Sequence, residues 1–185
     1  MQAFRVIYSR RRSISIQLAF DGGITVRAPQ GMSEAAVRRF VDSKRDWIEK
    51  KRAQLADGQR AWGGDVLMSA ELASLKAQAQ QDLAARVTRW APRVGTQPQA
   101  MHIRAQHTLW GSCSSKGRLS FNALLMLAPE AVRDYVVVHE LCHLKEMNHS
   151  ARFWAEVERV LPDYHIGHDW LKANGHALLQ RNPRS

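Results

Sequence analysis

Apolar and polar residues alternate along residues 13–28, on both sides of a turn with the sequence Asp21-Gly22-Gly23. A period of two places every second side chain on one face, and glycine-containing turns join such strands. The sequence therefore predicts a β-hairpin, whose second strand ends at Pro29 and Gly31.

Two helices are predicted between the hairpin and residue 100. Ser33 is the expected N-cap of the first, which continues to about Leu55 with apolar residues mostly at helical spacing. The turn-rich segment 57–65 is predicted to be a connector. Ser69 is expected to cap the second helix, which ends near Trp90, just before Pro92.

Residues 101–125 are predicted to form strands, with a turn at Ser114–Gly117, and helical patterns fill the rest of the chain. Pro129 is expected in the first turn of a helix because its missing N–H has no partner there. The three predicted helices cover Glu130 to about Glu146, Ser150 (N-cap) to Leu161, and about His168–Gln180. Strands that precede a helical C-terminal half indicate an α+β fold.

Length and composition narrow the class of protein. The chain has 185 residues, of which 45% are hydrophobic, as in one globular domain rather than a disordered or fibrous chain. No apolar run is long enough to span a membrane, and the N-terminus lacks the features of a signal peptide. We therefore expect a cytoplasmic protein with no membrane partner. The two cysteines, Cys113 and Cys142, are too few for a disulfide scaffold.

The positive charge is concentrated at the front of the chain. Residues 1–60 hold 13 basic and 6 acidic side chains, a net charge of +7, whereas residues 61–185 hold 14 and 11, a net charge of +3. A basic region is typical of proteins that contact nucleic acid or another acidic partner, although a solvated surface has the same composition. Nucleic-acid binding is thus an alternative function.

The segment His139-Glu140-Leu-Cys-His143 has the pattern His-Glu-x-x-His within a predicted helix. Residues four apart lie on one face, so both imidazoles can bind one metal ion. Glu140, about 100° around the helix, can reach a metal-bound water. This arrangement is typical of zinc peptidases, in which the glutamate is the general base.

His149 is the candidate third ligand, because catalytic zinc takes three protein ligands and keeps one open position. A continuous helix would carry His149 to the far side, so the helix must end first. Asn148 tolerates the left-handed conformation that ends helices, and Ser150 can start the next. Two alternatives stay open: surface histidines without metal, and a structural zinc site with Cys113 as fourth or blocking ligand.

These residues resemble the YgjP-like metallopeptidase domain, a family of small bacterial zinc peptidases similar to the WLM and SprT-like domains. The resemblance covers nearly the whole chain except about 57–100. Its motifs are Trp110-Gly-Ser-Cys-Ser114, Gly117, Asn122, Pro129, the stretch from Asp134 to His143, Asn148-His149-Ser150, Phe153-Trp154, Pro162-Asp-Tyr164 and Trp170-Leu-Lys172, with Arg11-Arg12-Ser13, Val26-Arg-Ala-Pro29, Lys44, Trp47-Ile48 and Lys51 at the front.

The resemblance implies a zincin-like core, with a small sheet beside an active-site helix, preceded by the N-terminal hairpin and helix. We accordingly expect one metallopeptidase domain over 1–185, made of a basic part (1–60), a connector and helix (61–100) and a catalytic core (101–185). The implied zinc ligands are His139, His143 and His149, with Glu140 as base. Family analogy also implies that an extended protein or peptide substrate adds along Trp110–Cys113.

Other residues are candidates for supporting roles. Tyr164, His165 and His168 are candidate donors to the oxyanion of the reaction. Asp163, Glu156 and Asp169 are candidate partners for the second nitrogen of each zinc-bound imidazole. Phe153 and Trp154 are expected to pack one helix on another, and His102, His107 and His176 to be structural or exposed. A DNA-linked protease, recruited to nucleic acid by the basic residues 1–60, combines peptidase activity with nucleic-acid binding and is a further alternative. Hydrolysis of a non-peptide amide is a third possible function.

Overall fold

The computed structural model describes residues 3–18 and 23–183. The chain divides into two compact units, Met1–Ala61 and Trp62–Ser185, and each is considered by itself. Among the described residues, no helix combines the length and apolarity needed to span a bilayer.

The first unit contains a three-stranded sheet in the order β1-β3-β2. β2 (Ser15–Leu18) and β3 (Ile24–Pro29) pair antiparallel, which confirms the predicted strand pair, although the turn residues Asp21 and Gly22 lie outside the described residues. β1 (Phe4–Ser9) pairs in parallel with β3. β1 was not predicted from the sequence, because its position depends on pairing with β3 rather than on a local turn.

The predicted first helix is two helices. α1 (Glu34–Asp42) starts after Ser33, whose Oγ accepts a hydrogen bond from Ala36 N at 3.3 Å, so the predicted cap is confirmed. The prediction of one continuous helix is wrong, because α1 ends at Asp42, with Ser43 as its C-cap, and α2 begins at Arg45. Ser43 Oγ donates to the Phe40 carbonyl at 2.8 Å, a local bond that competes with continuation of the helix.

α2 (Arg45–Trp62) also extends beyond its predicted end. The predicted connector at 57–65 is therefore wrong for its first six residues. Gly58 is buried within the helix, and a glycine there costs only about 1 kcal/mol relative to alanine. Asp57 and Arg60 form an ion pair one turn apart, which supports the helix.

The second unit contains the long helix α3 (Ser69–Val94), whose N-cap is Met68. The prediction that Ser69 is the N-cap is wrong, because Ser69 is the first residue of the helix. Glu71 Oε2 accepts from Met68 N at 2.8 Å. The helix passes through Pro92, contrary to prediction, and ends at Val94, with Gly95 (φ +75°) as its C-cap. A proline so close to the C-terminus removes one helical hydrogen bond, whereas the left-handed glycine ends the helix.

A second sheet has the order β4-β6-β5. β4 (Ala100–Arg104) runs parallel to β6 (Arg118–Asn122), and β5 (Gly111–Cys113) runs antiparallel to it. These strands confirm the prediction of strands from residue 101 as far as residue 122. Residues Ala123–Leu127 form a 3₁₀ helix instead of more strand, because the Asn122 side chain caps it by accepting from Leu124 N at 3.1 Å.

Three helices complete the chain: α4 (Glu130–Cys142), α5 (Ala151–Val160) and α6 (Tyr164–Leu179). Ser150 caps α5 as predicted, accepting from Phe153 N at 3.4 Å, while α6 begins one turn earlier than predicted. α4 packs against α3, α5, α6 and β5, and its apolar residues, with Leu119 and Phe121 of β6, belong to one hydrophobic core. The α+β prediction is confirmed, and α4 lies at the centre of the second unit.

Candidate metal centre

α4 brings the first two predicted ligands together. His139 lies in its last turn and His143 caps its C-terminus, so the two imidazoles lie on one face. Their Nε2 atoms are 3.2 Å apart. The helix ends four residues before its predicted end, because Leu144 N and Lys145 N bond to the carbonyls of Leu141 and Cys142 in tighter turns.

His149 joins this pair by a chain path that differs from the one predicted. Its Nε2 is 3.0 Å from His139 Nε2. Among the described residues, none except glycine has positive φ, so the predicted left-handed Asn148 is wrong. Asn148 acts through its side chain instead, since its Oδ1 accepts from Ser150 N at 3.1 Å. This bond turns the chain into the N-terminus of α5.

The three side chains form a convergent donor set. One ligand atom from each of His139, His143 and His149 lies within 4.8 Å of the others. His143 Nδ1 is 3.0 Å from the Glu146 carbonyl, which can only accept, so Nδ1 carries the proton and Nε2 of the neutral ring presents a lone pair. Lone pairs that face one another are stabilised by a cation between them.

Burial also favours the neutral, metal-binding form of two of these rings, His139 and His143. Desolvation, together with the neighbouring His143 and His149, lowers the pKa of His139 to about 3. Desolvation likewise lowers the pKa of His143. Because imidazole binds a metal ion only when it is deprotonated, the residues present fit a divalent transition metal.

Phe153 forms the apolar floor of the centre. It is fully buried, and its ring centroid lies 4.8, 4.5 and 4.9 Å from those of His139, His143 and His149. Trp154 stacks on His149 with centroids 5.9 Å apart. The predicted helix-packing role is confirmed for Phe153, and the same ring fixes the orientation of all three imidazoles.

Glu140 lies buried beside this cluster, only 5% exposed. Its Oε2 has no hydrogen-bond partner among the described residues, and burial raises its pKa to about 8. Gly111 of β5 makes this position available, because a Cβ built there would lie 2.6 Å from Glu140 Oε1 and 2.7 Å from Cγ. The motif containing Gly111 was noted in the sequence, but its contact with Glu140 was not predicted.

The outer nitrogens of the imidazoles have partners other than the predicted ones. Tyr135 OH is 3.4 Å from His139 Nδ1, and the Glu146 carbonyl binds His143, as described above. Tyr135 precedes His139 by one helical turn, a spacing visible in the sequence. The predicted partners are engaged elsewhere: Glu156 with Lys145 and Arg159, and Asp169 with His168. Asp163 is the N-cap of α6 without a side-chain capping bond.

The candidate oxyanion donors lie at different depths around the centre. Tyr164 stacks on Trp154 at 5.6 Å, and His168 contacts Tyr135 edge-on at 5.9 Å. Both are thus separated from a ligand histidine by one ring. His165 contacts only Tyr164 among the described ring contacts, so it lies farther out.

The two cysteines are free thiols outside the convergent set. Cys142 is fully buried, and desolvation raises its pKa to about 12. Cys113 is half-buried, and desolvation, then the charge of Glu140, raises its pKa. His102 and His107 are exposed, and these two and His176 are not part of the histidine cluster.

Three features of this centre are typical of metallopeptidases: a helix with the pattern His-Glu-x-x-His, a third imidazole that converges on it, and a buried carboxylate. The family model for the YgjP-like metallopeptidase domain matches residues 12–65 and 68–174. The chain belongs to this family and is a metal-dependent hydrolase of the peptidase class, with protein or peptide substrates.

The chain is also similar to a solved structure, the metallopeptidase zymogen of Pyrococcus abyssi abylysin. The two share 25% identity over 55% of this chain and 99% of the other, with a TM-score of 0.43. Comparison with curated proteins gives no significant match.

Proposed function

We propose that this protein is a zinc peptidase in which His139, His143 and His149 hold the metal and Glu140 is the general base. The observation that supports the proposal best is the convergence of three imidazoles next to the buried Glu140, whose Oε2 has no hydrogen-bond partner among the described residues. Three histidines with an open fourth position are the donor set of catalytic zinc sites.

When bound, zinc would polarise the substrate carbonyl and lower the pKa of a coordinated water. The residues of the chain supply the rest. Glu140, whose buried Oε2 has no hydrogen-bond partner in the part of the chain that the structure describes, accepts the proton of the attacking water and delivers it to the leaving amine. Tyr135 and the Glu146 carbonyl orient two imidazoles, and Tyr164 or His168 donates to the oxyanion.

The substrate is proposed to bind as an extended strand along β5. In the described part of the chain, β5 pairs with no strand other than β6. Its other edge therefore has no strand partner, and we call it the open edge. Asn122 N bonds to the Trp110 carbonyl, and Ser114 N to the Arg118 carbonyl. In an antiparallel pair these groups alternate, so the N–H and C=O of Gly111 and Cys113 face the open edge, next to Glu140.

The N-terminal unit is proposed to belong to the same functional domain, because the family match extends from residue 12 to 174 across both units. The comparisons give nucleic-acid binding by residues 1–60 no support. One cation behind that prediction, Arg38, pairs with Glu34 at 2.6 Å. That alternative, hydrolysis of a non-peptide amide and the cytoplasmic location all stay predictions.

Metal content of the purified protein, measured by elemental analysis without chelators, tests the proposal. We expect about one zinc per chain, and a loss of roughly 10-fold or more in zinc affinity in His149→Ala, which removes one of three ligands. His107→Ala is the matched control, since His107 is exposed and outside the cluster.

A wild-type protein that takes up no zinc even when zinc is supplied would contradict the proposed metal. Zinc that is retained with unchanged affinity by His149→Ala would instead place the ion elsewhere and contradict the ligand set.

A further inference from the structure

The outward face of the β4-β6-β5 sheet carries a group of basic side chains beside the open edge. A shallow groove there is lined by His102, Arg104, Ser112, Cys113, Ser114, Lys116, Arg118 and Ser120. None of these residues is acidic, and Arg104, Lys116 and Arg118 are exposed. We call this surface the basic face.

The three cations of the basic face have no acidic partner within residues 3–18 and 23–183. Other cations of the second unit do, as in the pairs Lys145–Glu156 and Arg159–Glu156, at 2.7 and 2.8 Å. The basic face therefore presents an uncompensated positive potential, which attracts acidic groups on a partner.

The strand register shows which residues of β5 lie on the basic face and which lie on the buried side, against Glu140. Gly111 pairs with Phe121 and points to the buried side, against Glu140, whereas Ser112 pairs with Ser120 on the outward side. A strand added along β5 alternates in the same way. Its residues opposite Gly111 and Cys113 point to the buried side, and those opposite Ser112 and Ser114 point to the basic face.

The distances suit long side chains. Neighbouring strands lie about 4.8 Å apart, so an added strand lies about 10 Å from β6. Arg118 is on β6, where its carbonyl accepts from Ser114 N at 3.0 Å, and Lys116 is in the turn between β5 and β6. A glutamate opposite Ser114 and an arginine side chain together span this gap. Glu140 lies on the opposite side of the sheet, so its carboxylate does not compete with the substrate glutamate for the arginine.

We propose that the basic face selects peptide substrates with acidic side chains at alternate positions, through Arg118, Lys116 and the field of Arg104. This inference rests on the proposed function, since it names the substrate class of that site. An acidic protein segment is favoured over nucleic acid because the cations flank a short open strand edge next to the catalytic carboxylate.

Matched fluorogenic peptides test the inference. One series carries Glu at two positions separated by a single residue, and the other carries Gln at the same positions. At low salt we expect kcat/KM to be roughly 5- to 10-fold higher for the Glu peptide, and the ratio to approach 1 at about 1 M salt, where exposed charges are screened.

The paired variant Lys116→Ala/Arg118→Ala is expected to lower the Glu/Gln ratio to below about 2. Lys76→Ala is the matched control: Lys76 is exposed on α3 and does not line the groove, so the ratio should stay at the wild-type value. Circular dichroism of each variant checks that the fold is retained.

Binding of labelled peptides to the zinc-loaded Glu140→Gln protein, followed by fluorescence anisotropy, separates the two proposals. Absence of cleavage of every peptide contradicts the proposed function, but tighter binding of the Glu peptide, lost in the paired variant, still supports the basic face. Equal binding and equal cleavage of Glu and Gln peptides overturn the inference. So does a paired variant that weakens binding of a labelled single-stranded oligonucleotide and leaves the peptide ratio unchanged.

Discussion

Helix α4 carries two polar clusters that differ in how their groups are paired. In its first half, Asp134 Oδ1 accepts from Arg86 Nη1 at 2.6 Å and from Trp90 Nε1 at 2.8 Å. In its second half, Glu140 Oε2 has no hydrogen-bond partner in the described part of the chain, and His139 faces two other imidazoles. The first cluster pairs opposite charges, whereas the second gathers groups that do not compensate one another.

The difference separates a structural cluster from a functional one on the same helix. The Asp134 cluster ties α4 to α3 and stabilises the fold, since a buried polar group that is hydrogen-bonded carries little penalty. The Glu140 cluster is desolvated and destabilises the metal-free fold. Its arrangement is explained by what it can bind and the proton it can accept, and each variant below tests one side of this contrast.

The largest effect is expected for Glu140→Gln. The amide keeps the size of the side chain but cannot accept the proton, so we expect kcat to fall by roughly 10³-fold while about one zinc per chain is retained. Peptide cleavage and elemental analysis of the same preparation measure this. Glu158→Gln, on the exposed side of α5, is the control; turnover by Glu140→Gln near the wild-type rate would rule out Glu140 as the base.

A comparably large change, in stability rather than activity, is expected for Asp134→Ala. It removes the acceptor of Arg86 Nη1 and Trp90 Nε1, while Arg86 keeps its ion pair with Asp82 at 2.7 Å. We therefore expect the free energy of unfolding to fall by about 2 kcal/mol. Denaturant unfolding measures this. Glu130→Ala is the control, because Glu130 is 78% exposed and its nearest contact to Arg86 is 3.8 Å; a change below about 0.5 kcal/mol is expected.

In the metal-free protein, Glu140→Gln is expected to raise the free energy of unfolding, whereas Asp134→Ala lowers it. The pKa of Glu140 is raised from 4.5 to about 8 in the fold, so the wild type loses stability as the pH rises from 4.5 towards 8. The neutral amide avoids this loss, and we expect the variant to be more stable than the wild type by about 2 kcal/mol at pH 8 and by little at pH 4. A variant less stable at pH 8 would show that the cluster is structural.

A smaller effect is expected for Gly111→Ala. The added methyl group displaces the Glu140 carboxylate, so we expect kcat to fall roughly 10- to 100-fold with zinc retained, since small misplacements of a catalytic group are costly. In the Gly111→Ala background, Glu140→Asp should lower kcat by a smaller factor than it does in the wild type, because the shorter side chain leaves room for the added methyl group. Additive losses in this double-mutant cycle would exclude contact between the two residues as the cause.

The sequence by itself determined the local features of this protein. The spacing of His139, Glu140 and His143, the caps at Ser33 and Ser150, and the hairpin strands follow from period and capping, which act over a few residues. The α+β order of elements and the candidate donor set were predicted for the same reason.

Only the tertiary structure decided how these parts are combined. The split of the first helix at Ser43, the route from His143 to His149, the apolar floor at Phe153 and the approach of Glu140 to Gly111 depend on packing or on competing local hydrogen bonds. Strand β1 and the basic face depend on pairing between strands distant in sequence. Convergence and burial are properties of non-local contacts, which periodicity along the chain does not encode.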